Sequence, residues 1–453
     1  MNVGDKVAFT SVQKEIITTK PNNYAVFAAP GSGKTTVLTH HIAYQIKTGQ
    51  LQPAEIMAMT FTRQAAVQMK TRIHSLLMDR YSHLQVMRMG TFHSQWFRLL
   101  LEERPDIPVL LSPREQFLMM EAAIVDETLH STITMQEVKR CLHLTEMVQH
   151  AEVSSRLSRH DRSILNRYQK KKRHQNRWDF EDILLQAQER IANVRDVKGL
   201  LPVRYLLIDE FQDTNFIQWD IIRQMQRRYD VSLFVVGDDD QSIYGFRGAS
   251  PKWFLEFSTF ARTIMLETNF RSDTRIIEAA SSLIEKNVHR AKKNIVSSRS
   301  EVGFVGHVRF ATEAIEAKQI YELILQLSST QPTWKVVLLS RTRAQLYQVW
   351  KEIHGLHQNC ELRTCHEAKG REWDVVIVLG AIESNPYLAK QPWDIEEERR
   401  LFYVSLTRAR HICIVSSVSR CAGRSVKPSL FISEANLPLV SWPISLELLV
   451  KES

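Results

Sequence analysis

Residues 28–35, which read Ala-Ala-Pro-Gly-Ser-Gly-Lys-Thr, have the composition of a loop that binds phosphate. They follow an apolar run, and a helical pattern continues after them to about Lys47. Glycines let backbone N–H groups approach phosphate oxygens, and the N-terminus of a helix adds a favourable field. Lys34 would neutralise the β- and γ-phosphates of a nucleoside triphosphate, and the Thr35 hydroxyl would ligate magnesium. The order of strand, glycine loop and helix therefore predicts a nucleotide site, although Ala28 stands where the pattern has its first glycine.

A second group that could do chemistry is the acid pair Asp209-Glu210, which closes another apolar run. An acid at a strand tip can reach the magnesium ion, and a second acid beside it can polarise the attacking water. An isolated pair would ordinarily be interpreted as two solvated loop residues. Because a phosphate loop and an apolar strand precede this pair, it indicates hydrolysis of a nucleoside triphosphate.

Phosphoryl transfer also needs positive charge where negative charge develops, and an arginine finger contributes roughly 10³–10⁵ in rate. Arg271, in the sequence Glu-Thr-Asn-Phe-Arg-Ser, and Arg408, in Tyr-Val-Ser-Leu-Thr-Arg, are candidates. Charge alone does not distinguish them among the 59 basic residues of the chain.

The elements that must position these residues are short apolar runs that alternate with helical patterns, as in parallel α/β sheets. The first half contains runs at 24–29, 55–62, 203–209 and 232–238, and the second half at 307–310, 335–340, 374–380 and 411–417. We therefore expect two α/β domains. A largely helical stretch from about Trp96 to Leu200 lies between the second and third runs and is predicted to be an insertion in the first domain.

Bulk composition restricts the class of protein. A chain of 453 residues suggests two or three domains, and 44% hydrophobic with 24% charged residues is ordinary for a soluble globular protein. No apolar run approaches the roughly 18–20 residues of a membrane span, and the polar N-terminal sequence lacks the apolar centre of a secretory signal. We expect a cytoplasmic protein. The five cysteines are scattered, so buried reduced thiols are expected rather than a structural metal site.

Positive charge is concentrated in one part of the predicted insertion. The chain carries a net charge of +9, and the segment from Lys139 to Arg177 has eleven Lys or Arg and three acids, a net +8. A solvated helix face is one interpretation of this segment. Together with the nucleotide motifs, it favours a polyanionic partner.

Taken in chain order, nine motifs resemble those of the UvrD/Rep/PcrA family of superfamily 1 DNA helicases. They are Ser11 to Gln13 (the glutamine motif), Ala28 to Thr35 (I), Thr60 to Ala66 (Ia), Gly90 to Ser94 (Ib), Asp209 to Asn215 (II), Val236 to Gly248 (III), Asn269 to Ser272 (IV), His366 to Trp373 (V) and Glu398 to Arg408 (VI). The family usually carries alanine at the position of Ala28. The resemblance implies two RecA-like parallel-sheet domains of the P-loop NTPase class, ATP and Mg²⁺ as cofactors, and a 3′–5′ helicase whose ATP hydrolysis is stimulated by single-stranded DNA.

The resemblance also implies roles around the phosphates. The residues that would surround them are Ala29, Pro30, Gly31, Ser32, Gly33, Lys34, Thr35 and Thr36. Thr35 and Asp209 would ligate magnesium, and Glu210 would be the catalytic base. Gln241 would sense the γ-phosphate and couple it to DNA.

Further implied roles concern the nucleoside and the arginines. Gln13 would read adenine, Phe270 would stack on it where the family usually has Tyr, and Glu372 would contact the ribose. Arg271 and Arg408 would reach across the cleft between the domains as arginine fingers.

The implied DNA contacts combine a basic groove with aromatic platforms, on which each stacked base contributes roughly 1–3 kcal/mol. Phe61, Tyr244 and Phe246 match family positions that contact bases or line the path, and His93 and Arg247 are nearby candidates. Phe246 replaces the usual Trp, which should reduce the stacking area. Core packing is the alternative interpretation for each aromatic. The run 178–182, Trp-Asp-Phe-Glu-Asp, also resembles a family element and supports a DNA-facing insertion.

The sequence departs from the family in two places. Arg371 replaces an apolar residue and could contact phosphate or point to solvent. In long family members a helical subdomain, 2B, is inserted before motif V, but here only the 20 residues from Leu346 to Cys365 are available. So short a segment cannot form a subdomain with its own core, and we expect 2B to be absent. Residues 409–453 show no evident acid cluster, so a fused nuclease is not expected.

These inferences predict domain 1A from residues 1–95 and 200–270, the basic insertion 1B from 96–199, and domain 2A from 271–453. The leading hypothesis is an ATP-dependent 3′–5′ helicase in DNA repair, recombination or replication, acting on single-stranded or 3′-tailed DNA. A second is a translocase that strips proteins from single strands or serves a larger complex, with a protein partner in place of 2B. A third, a nucleotide-gated binding module, is disfavoured by the intact Glu210, Arg271 and Arg408.

Overall fold

The computed structural model describes residues 8–77, 86–104, 106–128, 133–147, 157–193, 201–352, 358–388, 394–446 and 449. These residues form two units. The first contains the described residues of Met1–Phe27, Lys34–Gly237 and Tyr244–Met265, and the second those of Ala28–Gly33, Asp238–Ile243 and Leu266–Ser453. Predictions that involve residues 148–156, 194–200 and 353–357 lie outside the described residues.

A parallel sheet organises the first unit. The strands, in chain order, are β1 (Tyr24–Ala28), β2 (Ile56–Thr60), β3 (Arg88–Thr91), β4 (Val109–Leu110), β5 (Arg177–Trp178), β6 (Tyr205–Ile208), β7 (Ser232–Gly237) and β8 (Arg262–Leu266). The order in the main sheet is β3-β2-β6-β7-β1-β8, and the pairs β3–β2, β2–β6, β6–β7 and β7–β1 are parallel. Every residue of β1, β2 and β6 is buried, as expected for strands covered on both faces.

Because these strands are parallel, their carboxyl ends lie along one edge of the sheet. Residues with predicted roles lie at this edge, just after the strands end. The phosphate loop comes after β1, Phe61 after β2, His93 two residues after β3 and Asp209 after β6. The predicted apolar runs of the first half are confirmed as strands, and their common direction gathers the motifs.

The helices of the first unit are Ser11–Thr18, Lys34–Lys47, Arg63–Leu77, Phe92–Glu103, Pro113–Thr128, Met135–Met147, Arg159–His174, Phe180–Asn193, Phe216–Tyr229 and Lys252–Ser258. The described part of the predicted insertion is largely helical, as expected, apart from the two-residue strands β4 and β5. It has a hydrophobic cluster of its own that includes Met120, Ile124, Val138 and Tyr168.

One lysine of the basic run belongs to the interior of this insertion. The Lys172 ammonium donates to the carboxylates of Asp179 at 2.7 Å and Asp182 at 2.6 Å, and only 1% of the residue is exposed. The Trp-Asp-Phe-Glu-Asp element therefore supplies the counter-charges of a buried lysine. Nearby, Lys171 pairs with Asp126 at 2.7 Å. The prediction of a DNA-facing basic segment does not extend to Lys172.

The second unit is built on another parallel sheet. Its strands are β9 (Thr268–Asn269), β10 (Val296–Ser297), β11 (Phe304–Thr312), β12 (Val336–Ser340), β13 (Cys360–Thr364), β14 (Trp373–Val378), β15 (Ala409–Cys421) and β16 (Arg424–Ser425). The order is β11-β15-β14-β12-β13, with all four pairs parallel. Strand β16 pairs antiparallel with β15, and β9 pairs with β10 in a separate ladder. The helices are Thr274–Ile284, Glu313–Thr330, Arg343–Glu352, Ile395–Leu406 and Leu430–Glu434.

The four apolar runs of the second half are confirmed as strands, so the prediction of an α/β fold with two parallel sheets is correct. Edge strand β13 was not anticipated because Glu361 and Arg363 interrupt its apolar pattern. In the segment from Leu346 to Cys365, the described residues include the C-terminal part of the helix Arg343–Glu352 and this strand.

Among the described residues, no helix combines the length and apolar character that crossing a bilayer requires. The five cysteines (Cys141, Cys360, Cys365, Cys413 and Cys421) are buried and not joined in disulfides.

Candidate active site

The phosphate loop is shaped by two glycines in backbone conformations that other residues rarely adopt. Gly31 has φ +64° and Gly33 has φ +80°, in the left-handed region that glycine enters without steric cost. A Cβ atom on Gly31 would lie 2.6 Å from the Cβ atom of Arg271, so no side chain fits there. The helix Lys34–Lys47 begins directly after the loop. Its first N–H groups have no partner within the helix, which suits a bound phosphate.

A buried asparagine of motif IV, for which the sequence predicted no role, anchors this loop. The Asn269 Nδ2 donates to the carbonyl oxygen of Pro30 at 2.6 Å. Its Oδ1 accepts from the backbone N–H groups of Arg271 at 2.9 Å and Ser272 at 2.8 Å. One amide thus holds the loop and the backbone of a predicted arginine finger in a fixed relation.

The two predicted magnesium ligands lie together. The Thr35 hydroxyl donates to Oδ2 of Asp209 at 2.9 Å. Burial, and then the neighbouring charge of Glu210, raise the pKa of the Asp209 carboxyl to about 7. A hydroxyl and a carboxylate oxygen side by side fit Mg²⁺, which prefers oxygen ligands and neutralises such a buried carboxylate.

The predicted base, Glu210, adopts an unusual backbone conformation at the end of β6. Its φ is +55°, which is uncommon for a residue with a side chain, and such conformations are enriched at functional sites. Its Oε2 accepts from Nε2 of Gln212 at 2.6 Å.

Gln241 and Arg408, which are 167 positions apart, are in direct contact. Nη2 of Arg408 donates to Oε1 of Gln241 at 3.0 Å, and Nε2 of Gln241 donates to Asp238 at 2.6 Å. The Lys369 ammonium donates to the backbone carbonyl of Gln241 at 2.8 Å. The predicted γ-phosphate sensor and one predicted finger therefore form one buried network, to which Lys369 adds a contact that sequence reasoning missed.

The second predicted finger pairs with the residue predicted to contact ribose. Nε of Arg271 donates to the Glu372 carboxylate at 2.6 Å, and Arg410 donates to its other oxygen at 2.5 Å. Although burial raises it, the pKa of Glu372 is held below its ordinary value by these arginines. Arg371 beside it is half exposed, and its Nη1 lies 3.7 Å from the Glu361 carboxylate.

The two residues predicted to contact adenine differ in their surroundings. Phe270 is 40% exposed, and its backbone N–H donates to the carbonyl of Gly31 at 3.0 Å. This places an accessible ring beside the phosphate loop. Gln13 is buried, and its Oε1 accepts from the backbone N–H of Thr10 at 3.0 Å in a capping box that begins the helix Ser11–Thr18. Its contact with adenine stays a prediction.

The aromatic side chains predicted to contact DNA form a connected group in the first unit. Phe61 and Tyr244 are stacked, with ring centroids 5.2 Å apart and an interplanar angle of 14°. Phe246 meets Tyr244 edge-on at 5.9 Å and is 43% exposed. The Arg247 guanidinium lies 5.6 Å from the centroid of Phe246.

A cavity of about 210 Å³ is lined by part of this group and by the two acids predicted to act in hydrolysis. Its lining includes Phe61, His93, Asp209, Glu210 and Arg247. Burial lowers the pKa of His93 to about 4, so its imidazole is neutral near pH 7. His93 can therefore stack or hydrogen-bond, but it does not supply a charge for phosphate.

Comparison with known proteins gives two matches that together span most of the chain. Residues 9–261 match the UvrD/REP helicase N-terminal domain, and residues 264–362 and 354–420 match the UvrD-like helicase C-terminal domain. The ATP-dependent DNA helicase PcrA of Staphylococcus epidermidis is 30% identical over 354 residues, which are 74% of this chain and 48% of that protein. PcrA of Staphylococcus aureus is 29% identical over 352 residues, again 74% of this chain and 48% of the relative.

The chain thus spans about half the length of the curated relatives that it matches. The N-terminal match covers the phosphate loop, the acid pair and the aromatic group, and the C-terminal match covers both predicted fingers. With both domains matched in order, the chain belongs to the UvrD/REP family of helicases.

Proposed function

We propose that this protein is an ATP-driven motor that moves 3′ to 5′ along single-stranded DNA and unwinds 3′-tailed duplexes in DNA repair, recombination or replication. The observation that carries the proposal is the shared cavity, in which Asp209 and Glu210 face the same space as Phe61, His93 and Arg247. A strand bound there would contact the walls of the hydrolytic site. Hydrolysis and strand position would then be coupled.

The chemical step that we propose is attack of water on the γ-phosphorus of ATP. The bond to the β–γ bridging oxygen breaks, ADP leaves with inorganic phosphate, and Glu210 takes the proton of the attacking water. Lys34 neutralises the β- and γ-phosphates, while Arg271 and Arg408 supply positive charge as the bond breaks. Thr35 and Asp209 would hold Mg²⁺, which supplies further charge neutralisation when it is bound.

We also assign domain 1A to residues 1–95 and 200–270, 1B to 96–199 and 2A to 271–453, with the 2B subdomain absent. The 20-residue segment from Leu346 to Cys365 supports this last assignment. It also favours a second candidate function: a translocase that removes bound proteins, or serves a larger complex, and unwinds weakly by itself. In that case a protein partner would take the place of 2B.

The proposal is tested by ATP hydrolysis measured with and without single-stranded oligonucleotide. We expect stimulation by DNA, and we expect Lys34→Ala and Glu210→Gln to abolish hydrolysis. The exposed Lys47 at the end of the same helix and the exposed Glu256 provide matched controls, Lys47→Ala and Glu256→Gln. Equal hydrolysis with and without DNA would refute the motor.

Strand displacement distinguishes the two candidate functions. Duplexes with a 3′ or a 5′ single-stranded tail are compared, and the proposed polarity predicts unwinding of the 3′-tailed substrate alone. Displacement of a bound protein from single strands, without unwinding of either duplex, would favour the translocase. Unwinding of the 5′-tailed substrate would refute the polarity.

A further inference from the structure

Three consecutive aspartates follow strand β7 and are buried together. Asp238, Asp239 and Asp240 are each 0% exposed, and their carboxylate oxygens approach within 4.8 Å of one another. Such a group could hold a metal ion. Here a lysine from a distant part of the chain occupies the position: the Lys293 ammonium lies 2.6 Å from Asp238 and 2.9 Å from Asp240, and it also contacts Asp239.

A second cation completes the cluster. Arg290 donates through Nε at 2.8 Å and Nη2 at 2.7 Å to the two oxygens of Asp240. Three carboxylates and two cations leave one net negative charge. Buried ions cost several kcal/mol each unless they are paired and hydrogen-bonded. Although burial lowers it, the pKa of Lys293 is held above its ordinary value by the three carboxylates, so the ammonium is retained.

The cluster continues into the candidate active site through a single carboxylate. Oδ1 of Asp238 accepts from Lys293 at 2.6 Å, and Oδ2 accepts from Nε2 of Gln241 at 2.6 Å. Because Nε2 faces Asp238, the amide oxygen of Gln241 faces the other way and accepts from Arg408 at 3.0 Å. A path of hydrogen bonds thus runs from Lys293 through Asp238 and Gln241 to Arg408. None of these four residues is more than 8% exposed.

We propose that Lys293 is a positioning residue for ATP turnover, because it fixes the Asp238 carboxylate and thereby the orientation of the Gln241 amide and the Arg408 guanidinium. It does not contact the reacting atoms. This inference rests on the proposed function, in which Gln241 senses the γ-phosphate and Arg408 is a finger. A displacement of catalytic groups by about 1 Å can cost roughly 100-fold in rate.

Removal of Lys293 alone would leave three buried carboxylates with one cation, and that variant could fail to fold. Lys293→Met is therefore combined with Asp239→Asn. The pair keeps one net negative charge in the cluster, and methionine keeps most of the volume of the lysine stem. Asp239 has no hydrogen bond to Gln241, and its replacement amide can still accept from the backbone N–H of Ala291, which Asp239 contacts at 2.6 Å.

The experiment measures kcat and KM for ATP, together with thermal unfolding, in the Asp239→Asn background. We expect Lys293→Met to lower kcat by about tenfold or more, with a smaller change in KM, since bound ATP is retained but the network is misplaced. In a protein that also carries Gln241→Ala, Lys293→Met should have little further effect, because two residues that act through one path are not additive. Lys292→Ala, an exposed neighbour, should match the parent.

Two results would overturn the inference. The first is that the Asp239→Asn, Lys293→Met protein has a kcat within about twofold of that of the Asp239→Asn protein. Lys293 would then only balance the charge of the cluster. The other is an equal loss from Lys293→Met with and without Gln241→Ala.

A second comparison needs no change at Lys293 and tests the next contact of the path, from Asp238 to Gln241, even if the Lys293 variants do not fold. Asp238→Asn and Asp239→Asn each remove one charge from the cluster, but Asp238 alone of the two bonds Gln241. We expect the larger loss of kcat from Asp238→Asn, and equal losses would refute the inference. If the parent hydrolyses ATP without stimulation by DNA, the proposed function fails. The same comparisons of basal kcat still test Lys293.

Discussion

A buried glutamate in the second unit should make the stability of this unit depend on pH. Glu316, in the helix Glu313–Thr330, is 2% exposed. Its Oε1 accepts from the Ser416 hydroxyl at 2.6 Å and from the backbone N–H of Gly380 at 3.0 Å. Burial raises the pKa of this carboxyl to about 7, and the nearby charge of Glu313 contributes in the same direction. Because Glu316 forms no ion pair among the described residues, its ionised form is disfavoured.

The sign and size of the effect follow from linkage. A raised pKa means that the folded state holds its proton more tightly than the unfolded chain, so the stability is present below pH 4.5 and is lost as pH rises through about 7. The pKa is raised by about 2.5, and a pKa difference of one corresponds to about 1.36 kcal/mol. The free energy of unfolding therefore falls by about 3 kcal/mol by pH 8. At pH 5 the same linkage gives a loss of only about 1 kcal/mol.

Glu316→Gln removes the ionisation and keeps the acceptor for Ser416 and Gly380. We therefore expect the variant to be stabilised at pH 8 by up to about 3 kcal/mol and by much less at pH 5. For a unit of this size, each kcal/mol raises the unfolding midpoint by roughly 2–4 °C, so a gain of about 6–12 °C is expected at pH 8.

Differential scanning calorimetry at the two pH values measures this gain as a shift of the unfolding midpoint. Glu322→Gln, at an exposed position on the same helix, is the control and should not change the midpoint at either pH. An equal shift for Glu316→Gln at pH 5 and pH 8, or a loss of stability at pH 8, would refute the reasoning.

Three further predictions concern the candidate site and the insertion. Arg408→Ala should lower kcat for ATP by about 10³-fold or more, since an arginine finger contributes roughly 10³–10⁵, and an unchanged kcat in steady-state assays would exclude that role. Lys172→Met should destabilise the helical insertion by about 3–5 kcal/mol, because it leaves the buried Asp179 and the partly buried Asp182 without their cation. It should leave the salt dependence of DNA affinity unchanged, and a slope lower by about one would show a phosphate contact instead. Phe246→Ala should weaken binding of single-stranded DNA by about 1–3 kcal/mol, measured by fluorescence anisotropy. Unchanged affinity would show that this ring packs within the protein and does not stack on a base.

Much of the fold was predictable because buried parallel strands consist of uninterrupted apolar residues. Strands β1, β2, β6 and β12 are buried at every position and were recognised for that reason. Strand β3 was not recognised, because its four residues include a glycine and only the first is buried. Edge strand β13 was missed because its middle residues are only partly buried and include two charged side chains.

For the candidate site, the sequence by itself determined which side chains are available and which of them follow a strand. A phosphate loop, an acid pair and the motif arginines are local patterns, and local order along the chain is enough to identify them. The order also implies that Thr35 and Asp209 lie near one edge of a sheet, because both follow the carboxyl ends of parallel strands.

Only the tertiary structure decided which distant residues complete that site. Asn269 bonds a loop 239 positions away, Lys293 neutralises aspartates more than 50 positions away, and Lys172 turns inward to two acids instead of facing solvent. The physical reason is that a buried charge or amide must be satisfied by whatever partner the folded chain brings within about 3 Å. Strand order and helix packing select that partner, and no spacing in the sequence records it.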